Sequence, residues 1–203
     1  MPLITVTPPA VEPVTLAEAR EWVRLESDDT ANTNVLTLLI QAMREYAENL
    51  TGRAFVQRTL QLNLDGWPYC GEIELPCPPL VSVTSVKYTD QDEVLQTLDS
   101  TLYQVDDVCE PGRIVQAWSA AAWPVAIAIP NSVRVLYVAG YDEYGSPPDY
   151  RYNVPAALKI WMGARLATLF ENREQLIAQQ RVQIPRDFAD GLLDALILGG
   201  RIV

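Results

Sequence analysis

Carboxylates are the side chains in this sequence numerous enough to suggest chemistry. Asp28 stands beside Asp29, Asp90 lies close to Asp92 and Glu93, and Asp106 adjoins Asp107. Two carboxyl groups held across a cleft could cleave a glycosidic bond, one protonating the leaving oxygen while the other attacks or activates water. Nothing in the spacing selects such a pair from 26 Asp and Glu residues. Asp90-Gln91-Asp92 resembles the start of a calcium loop, but the glycine and the distant glutamate of the EF-hand pattern are missing. Solvated turns account for these runs more simply. The chain has no histidine, which removes the commonest general base, the Ser-His-Asp and Cys-His nucleophiles and the commonest transition-metal ligand. Cys70, Cys77 and Cys109 lack the C-x-x-C spacing of a zinc or redox site and are expected as buried or half-buried thiols. Neither G-x-G-x-x-G nor G-x-x-x-x-G-K-[ST] occurs, so the usual nucleotide cradles have no support. These observations point to a protein that is not an enzyme, with no catalytic residue, no metal and no cofactor. A carboxylate-dependent hydrolase remains the chemical alternative.

Binding surfaces are constrained in the same way. Trp67, Tyr69, Trp118, Trp123, Tyr141 and Tyr144 could stack on bases or sugars, but single-strand binders combine such platforms with a basic groove. Here 15 Lys and Arg face 26 Asp and Glu, the net charge is −11, and core or subunit-interface packing explains the aromatics better. A stable complex with a phosphate backbone is disfavoured, although DNA could pass nearby without adhering. No apolar run approaches the roughly 18 residues of a membrane helix, and the opening MPLITVTPPAVEP lacks the basic and apolar regions of a secretion signal. The expectation is a cytosolic globular protein with no membrane partner.

The elements that must carry any site follow from periodicity. Thr15 with Glu18 forms a capping box ahead of a helix with Leu16, Ala19, Trp22 and Val23 on its apolar stripe. Ser27, Asp28 and Asp29 can cap a second helix with two apolar faces: Val35, Leu39, Ala42, Tyr46 and Leu50 on one, and Leu36, Ile40 and Met43 on another. Gly52 ends it, and the period then changes from helical to two, with Leu60, Leu62 and Leu64 on one face of a strand. Short strands follow at 72–75, 83–89, 94–98, 103–105, 113–115 and 133–138, separated by turn residues such as Asp65-Gly66 and Pro111-Gly112. Pro155 opens a third, mostly apolar helix through Phe170, and a last amphipathic segment from about Pro185 ends at Gly199-Gly200. The fold class is α+β: a bundle of about four helices, residues 1–55 and 142–203, with a small antiparallel β domain, residues 56–141, inserted.

Several stretches together resemble one family. Pro13-Val14-Thr15-Leu16-Ala17-Glu18-Ala19 and Tyr46-Ala47-Glu48-Asn49-Leu50-Thr51-Gly52-Arg53-Ala54 are similar to the amino-terminal helices of head-to-tail connector, or adaptor, proteins of long-tailed double-stranded-DNA phages and related prophages. Leu75-Pro76-Cys77-Pro78-Pro79-Leu80-Val81-Ser82-Val83 resembles the family's Pro-rich strand entry, and Val138-Ala139-Gly140-Tyr141 the close of its β region. Val154-Pro155 through Phe170-Glu171-Asn172-Arg173-Glu174 resembles its third helix, so the likeness runs in order from about residue 12 to residue 197. Cys77 departs from it where a basic residue is common, and Leu198 to Val203 align less readily.

The resemblance implies a structural virion protein at the capsid vertex, made in the host cytoplasm. It would form a ring, commonly of twelve copies, beneath the portal protein, extend the channel for double-stranded DNA, which passes without specific binding, and dock the next connector, stopper or tail protein. A stopper or tail-completion protein is the alternative within that setting. The apolar residues Phe188, Leu192, Leu193, Leu196, Ile197 and Ile202 are the candidates for portal docking, since chain ends are loosely held unless they dock. Leu36, Ile40, Met43, Trp161 and Arg165, on the two-faced second helix and the apolar third, are the candidates for the ring interface.

Overall fold

The computed structural model describes residues 2–118, 122–141, 153–171 and 191–198. Packing divides the chain into two compact units, Met1–Ala10 with Gln57–Asp142 and Val11–Val56 with Glu143–Val203. The fold is α+β, with four helices among the described residues and antiparallel sheets.

The first unit holds every described strand. Strands β1 (Leu3–Thr7), β2 (Arg58–Leu64), β8 (Val133–Ala139), β4 (Leu80–Thr89) and β5 (Leu95–Thr97) form one antiparallel sheet in the order β1-β2-β8-β4-β5. A second sheet has the order β3-β7-β6, from Glu72–Leu75, Gly112–Gln116 and Tyr103–Asp106. β8 is central because its alternation is strict: Val133, Val135, Tyr137 and Ala139 are buried, while Arg134, Leu136 and Val138 between them are less so. Leu60 and Leu62 of β2 lie opposite Tyr137 and Val135, so three strands contribute apolar side chains to the same face once Val86, opposite Val135, is added. Irregularities in β4 between Leu80 and Ser82 and between Val83 and Ser85 re-phase that strand. Gly112 meets β4 closely; a Cβ there would stand 2.7 Å from Leu80 Cβ, nearer than side chains can pack.

The amino-terminal strand departs from the sequence expectation, which assigned residues 1–55 to the helices. Leu3, Ile4 and Thr5 pair with Leu62, Gln61 and Leu60. No local turn signal announces this strand, because its partner lies beyond two helices in the chain.

The second unit is helical. In α1 (Leu16–Trp22) the capping box is closed: Glu18 N–H donates to Thr15 Oγ1 at 3.1 Å, and Thr15 N–H donates to Glu18 Oε2 at 2.7 Å. Arg20 donates to the carbonyls of Ser27 and Asp29 and to Thr33 Oγ1, which fixes the connection to α2 (Thr33–Thr51). α2 starts later than Asp28 and Asp29 suggested: Asp29 accepts from Asn32 N–H and its side-chain amide, and Asn32 is the cap residue without a side-chain cap bond of its own. Gly52 ends α2 with φ 74°, the left-handed conformation that glycine adopts without strain. α3 (Ala156–Glu171) begins one residue after Pro155, whose carbonyl accepts from Leu158 N–H. The short α4 (Gly191–Asp194) buries Leu193. Ala19, Leu36, Ile40, Leu158, Trp161, Met162 and Leu166 are closed from solvent in this unit.

Candidate functional site

The sequence's carboxylate clusters fasten loops. Asp90 accepts from the N–H groups of Asp92 and Val94 and from the Gln96 amide, closing the β4–β5 hairpin. Asp106 accepts from Cys109 N–H and from Arg113 Nε at 2.9 Å, and Arg113 also donates to Glu72 at 3.1 Å. These bonds favour the ionised form: the Gln96 amide and then Val94 N–H hold Asp90 below its ordinary pKa, and Cys109 and then Arg113 do so for Asp106. Asn32 lowers Asp29, and Thr101 N–H lowers Asp99. A glycosidase general acid needs the opposite shift. Among the described residues no group of three or more Cys, Asp or Glu side chains could hold a metal, and no helix is long and apolar enough to cross a membrane.

The cysteines form no disulfide, and two lie differently from expectation: Cys70 and Cys109 are exposed, on the tight turns that flank β3 and β7, while Cys77 is half-buried. Trp67 stacks on Trp123 with ring centroids 4.7 Å apart, donates its indole N–H to the Pro124 carbonyl and leans on Tyr88. That trio is packing within the β unit. Tyr69 and Trp118 are fully exposed, Tyr141 is half-buried and Tyr144 lies outside the described residues.

Among the described residues, a surface that can receive another molecule lies on the helical unit. Met43 and Tyr46 of α2 and Trp161, Arg165, Thr168 and Leu169 of α3 line a groove of about 150 Å³. Trp161 forms its floor and is itself buried; Tyr46 stacks on it nearly parallel, 4° between planes at 5.8 Å, and the Arg165 guanidinium sits 5.8 Å from the ring centre. A cation over an indole face is held by the ring quadrupole, so Arg165 stands at a defined place on the rim. Among the lining residues Arg165 is the charged one. The groove has the chemistry of a docking surface, apolar below and cationic at one edge.

The structure brings three ring-interface candidates, Met43, Trp161 and Arg165, to this groove. It places the other two, Leu36 and Ile40, in the core with Arg44, Ala47 and Glu48. The α2 surface left open includes the other stripe, where Val35, Tyr46 and Leu50 are exposed, and, further round the helix, Leu38. The sequence reading named Leu36 and Ile40 as interface candidates; they share their face with Arg44 and Glu48, whose ion cluster makes a closed face look polar. Arg44 donates to Glu12 at 2.7 Å and to Glu48 at 2.9 Å. Of the portal-docking candidates, Leu193 is fully buried, and Leu192, Leu196 and Ile197 are half-buried. Leu196 also offers its carbonyl to Arg53 Nε at 2.6 Å. Phe188 and Ile202 lie outside the described residues.

The chain matches no protein-family model and no curated protein sequence. Solved structures do share its fold. One is a chain in the virion of a native gene transfer agent particle, 19% identical, with TM-score 0.72 over 97% of this chain and 95% of that one. Another is in the neck of the empty particle computed with C6 symmetry, 23% identical, TM-score 0.70, covering 99% of this chain and 100% of that one. A third is in the neck of the native particle computed with C12 symmetry, 22% identical, TM-score 0.69, with the same coverage. At these identities the likeness is one of fold, and it extends over both units of the chain.

Proposed function

We propose that this chain is a structural component of the neck of a phage-like particle. In this reading it is a ring-forming head-to-tail adaptor that binds beneath the portal, extends the DNA channel and presents a surface to the next connector, stopper or tail protein. The observation that carries it is the near-complete fold likeness to chains of a gene transfer agent neck computed with C6 and C12 symmetry. The acidic balance suits the role. A basic channel wall would hold each phosphate it met, whereas a net charge of −11 per copy repels the duplex and leaves it moving through water and counterions. The same charge makes copies repel one another, so assembly needs apolar contacts or the portal as template.

Native mass spectrometry and negative-stain images of the chain, alone and with the portal protein from the same genome, test this. Rings are expected with portal, and raising salt from about 0.1 M to 1 M, which shortens the Debye length from roughly 10 Å to 3 Å, is expected to favour them. A monomer that ignores both portal and salt overturns the adaptor reading.

A further inference from the structure

We propose that the α2–α3 groove is one half of a subunit interface and that it receives the ridge of α2 carrying Leu38 and Glu45 from a second copy of this chain. The inference rests on the ring reading and names the surfaces that would close the ring.

Leu38 and Glu45 are seven residues apart, so they lie on one line along α2, about 10 Å from each other. At roughly 100° per residue this ridge is turned well away from Met43 and Tyr46, which open onto the groove. One helix thus presents a projecting ridge on one side and a hollow on another. Two different patches of one chain make a head-to-tail contact, the kind that generates rings. The ridge is open to solvent: Leu38 is 66% exposed, and so is the Glu45 side chain, whose contact with Arg44 at 3.6 Å is long. A cavity of 150 Å³ can take a benzene-sized apolar group, so the hollow accepts a leucine side chain.

Charge selects the occupant. Copies that each carry −11 approach best where acids are absent, and the described lining of the groove has a single charge, the positive Arg165. Leu38 seated in the groove beside Met43, Tyr46 and Leu169 leaves Glu45, about 10 Å along the same ridge, to reach the Arg165 rim. An acidic ridge meets a cationic edge, and the exposed Tyr46, held in place by its stacking on the buried Trp161, supplies an aromatic anchor of the sort that dominates protein interfaces.

The test uses the full chain with its portal and four variants: Leu38→Asp, Glu45→Arg, Arg165→Glu, and the double exchange Glu45→Arg with Arg165→Glu. Ring formation is read by native mass spectrometry, and folding by far-UV circular dichroism and the thermal midpoint. Each single variant is expected to raise the concentration needed for half-assembly at least ~10-fold while the Leu38 and Glu45 variants keep the unsubstituted midpoint; the double exchange is expected to recover assembly to within ~3-fold. Single variants that assemble normally, or a folded double exchange that recovers nothing, overturn the interface while leaving the ring reading intact. Rings that persist while portal binding is lost assign the groove to the portal and also overturn it. An unsubstituted chain that never forms rings removes the ring reading itself, and this interface with it.

Discussion

The indole of Trp22, at the end of α1, lies directly on α3 at Gly163. A Cβ on Gly163 would stand 2.2 Å from Trp22 Cε2 and 2.4 Å from Cδ2. Glycine inside a helix ordinarily costs about 0.5–1 kcal/mol relative to alanine, so Gly163→Ala in open space would stabilise α3. Here the overlap decides the sign. Gly163→Ala is expected to destabilise the helical unit by about 1–3 kcal/mol and to displace Trp22, visible in the thermal midpoint and in tryptophan emission. Adding Trp22→Ala is expected to cancel the effect of the alanine at position 163. A single variant with a raised midpoint refutes the contact.

Arg44 is the buried hub of the helical unit. Its side chain, 7% exposed, bonds Glu12 in the segment before α1 and Glu48 one turn along α2, while Glu48 also accepts from Phe55 N–H beyond Gly52. Burial opposes the charge on Arg44, but the hydrogen bond it donates to Glu12 and the field of Glu48 outweigh it and hold the guanidinium pKa above its ordinary value. Arg44→Met leaves Glu48 buried without its cation and is expected to cost about 3–5 kcal/mol in denaturant titration. Arg44→Met combined with Glu48→Leu is expected to recover part of that, since removing both charges relieves the desolvation penalty. If the double variant is no more stable than Arg44→Met alone, the ion pair is not the cause.

Much of the fold is legible locally and little of the surface is. The Thr15–Glu18 capping box, the stop at Gly52 and the strands after Val56 rest on short-range chemistry, and the structure has each of them. β1 was invisible because its pairing with β2 spans two helices. The burial of Leu36 and Ile40 on α2 was hidden for a different reason. Arg44 and Glu48 sit on the core face, where Leu36 and Ile40 also lie, so a hydrophobicity pattern sees polar residues on the side that is in fact closed. Pairing across 32 residues, from Arg44 to Glu12, is what makes that burial tolerable, and no periodicity reports it. Met43, Trp161 and Arg165 were named as ring-interface candidates because they lie on the two-faced second helix and the apolar third, whereas their meeting in one groove with Tyr46, Thr168 and Leu169 depends on the α2–α3 packing, which no local pattern reports.

Stability is expected to fall at both ends of the pH scale, for opposite reasons. Hydrogen bonds hold Asp29, Asp90, Asp99 and Asp106 below the unfolded value of 3.8. Their contribution is present above that value and is lost as pH falls through the lower folded pKa values. Tyr137 behaves in the reverse sense. Burial raises its pKa far above the unfolded value of 10.0, so its contribution is complete below pH 10 and is lost above it. Tyr137 Oη also donates to the Pro76 carbonyl at 2.8 Å. Tyr137→Phe is expected to cost about 1 kcal/mol at neutral pH and to shift the alkaline fall in thermal midpoint to higher pH. An alkaline limb that does not move assigns it to other groups, of which Tyr103, raised by burial and by Asp99, is the first to test.

The carboxyl-terminal segment separates packing from docking at a definable residue. Leu193 is closed in the core, the Leu196 carbonyl accepts from Arg53, and Leu198 Cδ1 lies 3.3 Å from where a Cβ on Gly52 would stand. Removing everything after Gly191 takes away a buried leucine and the cover of the α2 terminus. The expected result is a loss of about 2–5 kcal/mol and a lower thermal midpoint, rather than a folded protein that has merely lost a docking arm. Gly52→Val tests the same junction from the other side: its left-handed φ of 74° and the nearby Leu198 make a cost of at least ~1 kcal/mol the expected outcome. Truncation after Leu198 spares all three contacts. It is expected to leave the midpoint unchanged, so a loss of portal binding in that variant locates docking in the final five residues, Ile202 among them. Full portal binding after the shorter truncation excludes Ile202 as a docking residue.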